Sequence, residues 1–214
     1  MLTLRQLVKK TLLCPPLNSL RTDLGRWNKI LQWQRKGCPV PPPPEVKHAT
    51  IREYGKKFRL DVLVETGTYF GDTIAATKNH FADIYSIELS PELHQRARER
   101  FKGDQRVHLL LGDSGSVLKQ MLAPITRAPL FWLDAHYSAG STARGKTDTP
   151  ILQELDTIFG LCPQCVVLID DARCFDGKNG YPTLAELKKY TAAKASNWAF
   201  EVRHDIIRLH RNWT

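Results

Sequence analysis

The stretch that decides the fold is Asp61-Val-Leu-Val-Glu-Thr-Gly-Thr-Tyr-Phe-Gly-Asp-Thr73. Its first half is a short apolar run that predicts a buried strand, and its second half is a glycine-containing turn that opens a helix. Glycine lets the backbone approach a ligand closely, and the free amide groups of a helix N-terminus bind ligands readily. The stretch therefore predicts a strand, a ligand-binding turn and a helix, in that order.

The same alternation continues along the chain. The predicted strands are 61–66, 84–89, 107–111, 130–134, 166–170, 200–203 and 206–209, and the predicted helices are 48–58, 72–81, 91–101, 114–122, 150–161 and 184–194. Continuous apolar strands separated by helices are typical of a parallel sheet covered on both faces. We therefore predict a doubly wound, Rossmann-like α/β domain that ends in a hairpin and binds its ligands at the carboxyl ends of the strands.

The N-terminal part has a different composition. Residues 1–13 form a short basic amphipathic stretch, which predicts either a peripheral membrane contact or a helix packed on protein, including a second subunit of a homo-oligomer. Pro41-Pro42-Pro43-Pro44 predicts a stiff, extended linker. We place the boundary there, between an N-terminal segment 1–44 and a single catalytic domain 45–214.

Composition limits the environment and the partners. The 214 residues include 31 Lys and Arg against 22 Asp and Glu, and the resulting charge of +9 favours anionic partners. Five cysteines without a disulfide-framework spacing, and no cleavable leader, indicate a reducing cytoplasm. No apolar run approaches the roughly 20 residues that span a bilayer, so we do not expect this chain to be an integral membrane protein.

Acidic residues close the predicted strands at the ligand-binding edge. Glu88 closes the second strand, where a carboxylate can accept hydrogen bonds from both ribose hydroxyls. Asp113-Ser114 follows the third strand, where the pair can receive an adenine amino group. The turn lacks the third glycine of a dinucleotide fingerprint and the Gly-Lys-Ser/Thr of a phosphate loop, which disfavours NAD and nucleoside triphosphates. Each acid alone could instead cap a helix; the whole set favours a nucleoside cofactor.

These motifs together resemble the class I S-adenosylmethionine-dependent methyltransferases, which carry an acid and glycines after strand one and acids after strands two and three. The resemblance covers roughly residues 46–211. It implies a mostly parallel, seven-stranded sheet with an antiparallel last strand. It also implies S-adenosylmethionine bound along Glu65, Gly67, Thr68, Tyr69, Gly71, Thr73, Glu88, Asp113, Ser114 and Asp134.

A second group of residues follows the fourth and fifth strands. Asp134-Ala-His136 and Asp170-Asp171 place three carboxylates and an imidazole on neighbouring strands about 5 Å apart. Such crowding requires a cation, and oxygen ligands suit Mg²⁺, Ca²⁺ or Mn²⁺, with Mg²⁺ the usual intracellular ion. The alternatives are a helix cap paired with Arg173 for the acids and an ordinary loop position for His136.

This second group resembles the macrocin O-methyltransferase-type sugar methyltransferases. Asp134, Asp170 and Asp171 match the residues that hold magnesium in that family, and its general base near the metal implies catalytic roles for His136 and Asp134. Two departures are the sequence Asp-Ala-His-Tyr in place of Asp-Gly-Asp and the lack of the family's long N-terminal region. The polar loop 137–149 predicts a lid or an acceptor-binding loop.

We therefore expect metal-assisted O-methylation of a hydroxylated small molecule or glycan, with His136 removing the acceptor proton. A nucleic-acid methyltransferase is an alternative that the positive charge favours, but the lack of an Asn-Pro-Pro-Tyr type motif after strand four makes a nucleic-acid acceptor the weaker interpretation. The other alternative is a non-catalytic binding protein that has kept the fold.

Overall fold

The computed structural model of the chain describes residues 17–134 and 149–211, with side chains from Leu24 onward. The chain divides into two compact units, residues 1–46 and 47–214. The amphipathic stretch 1–13, His136 and nearly all of the predicted lid loop lie outside the described residues.

The first unit contains a helix that the sequence analysis did not assign. Helix α1 spans Leu17–Arg35, and the turn after it is held by a hydrogen bond from Trp33 Nε1 to the carbonyl of Pro39 at 2.8 Å. The proline run was expected to be extended throughout, but Pro44 is the first residue of helix α2, Pro44–Phe58. Proline is favoured at this position because its fixed φ suits the first helical turn, where its missing N–H is not needed.

The second unit is built on a seven-stranded sheet. Its strands are β1 Val62–Thr66, β2 Asp83–Glu88, β3 Val107–Leu111, β4 Pro129–Leu133, β5 Val166–Ile169, β6 Trp198–Arg203 and β7 Ile206–Arg211. Their order in the sheet is β3-β2-β1-β4-β5-β7-β6, with the first five parallel and β7 antiparallel to both of its neighbours. This confirms the predicted fold class.

The helices that connect the strands cover the two faces of the sheet. Beyond α2, the structure describes α3 Asp72–Thr77, α4 Pro91–Arg100, α5 Ser114–Leu122, α6 Ile151–Leu161, α7 Leu184–Lys194 and a short 3₁₀ turn, Ala172–Cys174. Helix α3 ends four residues before its predicted end. None of the helices in the described ranges combines the length and apolar character needed to cross a membrane.

The sheet has a hydrophobic core on each face. Val62 and Val64 pack into the core beneath α5, α6 and α7, whereas Leu63 points to the opposite core beneath α2, α3 and α4. All three side chains are at most 1% exposed. Burial on both faces explains why the strands are continuous apolar runs and do not alternate with polar residues.

Three central strands end at the same level. Thr66 is paired with Leu133, and Leu133 with Ile169, so β1, β4 and β5 finish side by side. The ladder continues one step further, because Asp134 N donates to Thr66 O and Asp170 N donates to Leu133 O, both at 3.0 Å. Main-chain hydrogen bonds therefore bring these two aspartates to one edge of the sheet.

Candidate functional site

The turn after β1 contains three residues in the left-handed region. Gly67 has φ 86°, Tyr69 has φ 49° and Gly71 has φ 75°. A Cβ on Gly71 would lie 2.6 Å from a ring carbon of Phe101. The sequence analysis explained these glycines by close approach of a ligand; at Gly71 the structure gives a different reason, its backbone conformation and its packing against Phe101.

Glu65 closes β1 and lies at the end of a chain of buried hydroxyls. Thr68 Oγ1 and Ser86 Oγ are 2.6 Å apart, and Ser86 Oγ donates to Glu65 Oε2 at 2.6 Å. Burial raises the pKa of Glu65 to about 8; hydrogen bonds from Ser86 and Thr73 oppose the rise, and the charge of Asp134 adds to it. The carboxyl therefore keeps its proton around neutral pH and can donate a hydrogen bond. Ser86 was not predicted, although a hydroxyl within an apolar strand is a visible signal.

Glu88, at the end of β2, is held by two main-chain amides. Its Oε2 accepts from Tyr69 N at 2.7 Å and its Oε1 from Ser90 N at 2.9 Å. A carboxylate has about four lone-pair directions, so each oxygen keeps capacity for a further donor. The buried carboxylate is thus a fixed acceptor beside the half-exposed ring of Tyr69.

Asp113 and Ser114 open α5. Asp113 occupies the N-cap position, but its side chain makes no capping hydrogen bond. The Asp113 carboxylate therefore does not cap the helix. Ser114 is buried and its hydroxyl lies beside Glu154 of α6, a residue that the sequence analysis did not identify.

Glu154 is a buried carboxyl with an unsatisfied oxygen. The residue is 1% exposed, and its Oε1 has no hydrogen-bond partner of ordinary geometry among the described residues. Burial raises its pKa to about 7; the hydroxyls of Ser114 and Thr66 lie close enough to oppose the rise, and the charge of Asp113 adds to it. Sequence analysis missed Glu154 because an acid in a helix is ordinarily solvated.

Asp134, Asp170 and Asp171 form an acidic cluster at the ends of β4 and β5. One carboxylate oxygen from each lies within 4.8 Å of the others. Asp170 and Asp171 are buried, and Asp171 adopts a left-handed conformation at φ 55° with its amide donating to Asp170 Oδ1 at 2.9 Å. The structure therefore brings together the three residues that were predicted to bind a metal.

Within the described part of the chain, Lys47 and Arg173 contact the acidic cluster. Lys47 of α2 donates from Nζ to Asp170 Oδ2 and lies 3.3 Å from Asp171 Oδ1. Arg173 donates to Asp171 Oδ1 at 2.7 Å and also pairs with Asp205. The sequence analysis had considered the Arg173 pair but not Lys47, which supplies part of the positive charge that the crowded acids were expected to require.

The pKa values of Asp170 and Lys47 reflect the opposing effects of burial and of the neighbouring charges. Burial, followed by the negative charge of Asp134, raises the pKa of Asp170 above its ordinary value even though Lys47 opposes the rise. Burial disfavours the charged form of Lys47, but the carboxylates outweigh it and raise its pKa. Lys47 thus stays charged without fully relieving the repulsion among the acids.

The residues of the cluster also fit a divalent ion. Three carboxylate oxygens within 4.8 Å of one another form an oxygen-only donor set, which is the kind that holds Mg²⁺ or Ca²⁺ in proteins. Among the described residues, Lys47 and Arg173 pair with Asp170, Asp171 and Asp205.

A pocket adjoins the cluster on the side of α6. Its polar lining includes Asp134, Glu154, Asp170, Tyr181 and Thr149, and its apolar lining Leu133, Ile151, Ile169 and Phe175. The rings of Phe175 and Tyr181 meet edge to face with centroids 5.1 Å apart. The pocket thus combines hydrogen-bonding groups with an aromatic wall.

Comparison with known proteins identifies relatives through structure alone. No family model matches the sequence, and no curated protein matches it. Among solved structures, a methyltransferase of Podospora anserina, PaMTH1, crystallised with S-adenosylhomocysteine, has a TM-score of 0.55 at 16% identity, covering 93% of this chain and 97% of that one. The O-methyltransferase TomG of Streptomyces achromogenes, in complex with S-adenosylmethionine, has a TM-score of 0.58 at 14% identity, covering 87% and 88%.

A Bacillus cereus O-methyltransferase in complex with S-adenosylhomocysteine is similar over 97% of this chain and 96% of its own, with a TM-score of 0.56 at 13% identity. At sequence identities this low, the structural similarity establishes the fold alone. The chain therefore has the Rossmann-like fold of class I methyltransferases, in agreement with its strand order.

Proposed function

We propose that this protein is an S-adenosylmethionine-dependent O-methyltransferase. The observation that carries the proposal is the meeting, at one sheet edge, of the acids at the carboxyl ends of β1 and β2 with the acidic cluster after β4 and β5. Ligands of doubly wound sheets bind at this edge. Solved proteins of the same fold bind S-adenosylmethionine or S-adenosylhomocysteine, which supports the same cofactor here.

The cofactor would lie along the turn after β1 and the ends of β2 and β3. Glu88, oriented by two amides, would accept from the ribose hydroxyls, and Asp113 from the adenine amino group. Gly67, Thr68, Tyr69, Gly71 and Thr73 would form the wall beside Glu65, while Ser114 and Asp134 would border the nucleoside and the methyl donor. When bound, the cofactor supplies an electrophilic methyl group.

We further propose that Asp134, Asp170 and Asp171 hold a divalent cation, Mg²⁺ being the usual choice. Its contribution would be to orient the acceptor oxygen and to stabilise its negative charge. The oxygen-only donor set and the closeness of the three carboxylates support this part of the proposal.

The protein's own groups would position the acceptor and receive its proton. Phe175 and Tyr181 would pack against the acceptor, and Asp134 would fix its reacting hydroxyl. His136, two residues beyond Asp134, is proposed to take the proton as the hydroxyl oxygen attacks the methyl group. The aromatic wall and the resemblance to macrocin-type enzymes support a hydroxylated small molecule or a glycan as the acceptor.

The decisive experiment follows labelled methyl groups. Purified protein is incubated with methyl-labelled S-adenosylmethionine and fractionated cell extract, with and without a chelator, and the labelled species is identified. We expect a labelled small molecule or glycan, loss of labelling in chelator, and loss of labelling in Glu88→Ala with Glu99→Ala as a matched exposed-acid control. Label in nucleic acid would support the alternative acceptor, and cofactor binding without transfer to any fraction would support a binding protein.

A further inference from the structure

Lys47 lies on the inward face of α2. The buried residues Thr50, Ile51 and Tyr54 follow it at helical spacings of three, four and seven, so position 47 belongs to the same face. An apolar residue would be expected there. The Lys47 side chain is instead directed to the acidic cluster, and only 21% of it is exposed.

The contact is made with the two most deeply buried acids of the cluster. The Asp170 side chain is fully buried and accepts from Lys47 through Oδ2, and Asp171 Oδ1 lies 3.3 Å from the same nitrogen. Asp170 Oδ1 already accepts the amide of Asp171, so Oδ2, the oxygen that Lys47 contacts, is the Asp170 oxygen left for a metal; Asp171 Oδ1 is shared by Lys47 and Arg173. An ammonium group and a divalent ion at these oxygens would repel each other strongly in a partly buried site.

We propose that Lys47 is a built-in counter-cation that competes with the divalent ion for Asp170 and Asp171. This inference rests on the metal site proposed above and adds its regulation. The site has two alternative states, one held by the lysine and one held by the metal. In the lysine-held state the ammonium group stays paired with the two acids; in the metal-held state it is displaced from their oxygens.

The test is direct titration of Mn²⁺ into the full chain without cofactor, followed through the electron paramagnetic resonance signal of free Mn²⁺. Lys47→Met should bind Mn²⁺ about tenfold or more tightly than the wild type, because a positive charge next to the ligands is removed. Lys56→Met, which removes an exposed lysine from the same helix, should bind as the wild type does. Lys47→Arg, which keeps the charge, should also bind weakly.

Thermal unfolding supplies an independent measurement. In chelator, Lys47→Met should unfold at a lower temperature than the wild type, because a buried carboxylate has lost its partner, and Mn²⁺ should raise its midpoint by more than it raises that of the wild type. If Lys47→Met fails to fold, Lys47→Gln replaces it in both measurements.

Unchanged or weaker Mn²⁺ binding in Lys47→Met would overturn the proposal, as would a lack of Mn²⁺ binding in both proteins. The latter result would leave methyl transfer, measured separately, untouched. Conversely, tighter Mn²⁺ binding in Lys47→Met together with no binding of S-adenosylhomocysteine would refute the proposed activity while keeping the role of Lys47.

Discussion

Replacing Glu154 with glutamine should change how the stability of the protein depends on pH. The folded protein holds the Glu154 proton more tightly than the unfolded chain does, since burial raises its pKa from 4.5 to about 7. A carboxyl with a raised folded-state pKa stabilises the fold below its unfolded pKa, and this stabilisation is lost as the pH rises through the folded pKa. Each pH unit between the two values is worth about 1.4 kcal/mol, which amounts to about 3 kcal/mol in all.

Glutamine has nearly the same shape and does not ionise. Between about pH 4.5 and about pH 8, Glu154→Gln should therefore gain about 3 kcal/mol in unfolding free energy relative to the wild type. For a chain of this size that corresponds to roughly 6–12 °C in the unfolding midpoint. Glu65, whose pKa is also raised, titrates in both proteins and cancels from the difference.

The measurement is thermal unfolding by circular dichroism at a series of pH values across that window. Glu99→Gln, an exposed glutamate on α4, is the matched control and should follow the wild type at every pH. Parallel midpoint curves for the wild type and Glu154→Gln would refute the reasoning, because they would mean that Glu154 does not titrate differently in the folded and unfolded states.

Three further results are expected. Glu88→Ala should weaken S-adenosylhomocysteine binding by about 1–3 kcal/mol in calorimetry, because a charged acceptor is lost; equal affinity would remove Glu88 from the cofactor site. Gly71→Ala should lower the unfolding free energy in urea by roughly 2–4 kcal/mol, through its positive φ and its contact with Phe101, and an unaltered midpoint would contradict this. His136→Ala should reduce turnover about 10²–10⁴-fold, flatten the acidic limb of the pH–rate profile and spare cofactor affinity, whereas an unaltered profile would assign the base elsewhere.

The strands and their ends could be predicted because the local order of apolar and acidic residues in the sequence determines both. An apolar run buried on two faces is visible in the sequence, and an acid that directly follows such a run emerges at the sheet edge. Asp134 and Asp170 therefore came together as expected, held by main-chain hydrogen bonds of the ladder. No long-range information was needed for this part of the site.

Residues that reach the site from helices were not predictable in the same way. Lys47 and Glu154 contact partners more than 35 residues away, and their direction depends on how α2 and α6 pack on the sheet. On composition alone, each would be assigned to a solvated helix face. Helix α1 was missed for a related reason: Leu24, Trp27 and Leu31 are exposed while Trp33 is buried, so its apolar residues form no single buried stripe.

The hairpin between β6 and β7 has a consequence for the order in which the site is completed. Asp205 lies in its turn, accepts Arg173 N at 2.8 Å and pairs with the Arg173 guanidinium, while its carbonyl accepts from Ala172. These bonds brace the backbone directly after Asp171, whose left-handed conformation is costly for a residue with a side chain. During synthesis, a nascent chain that has released β1 to β5 still lacks this brace. The local geometry of the acidic cluster therefore depends on a turn that lies 32 residues beyond Arg173 in the chain.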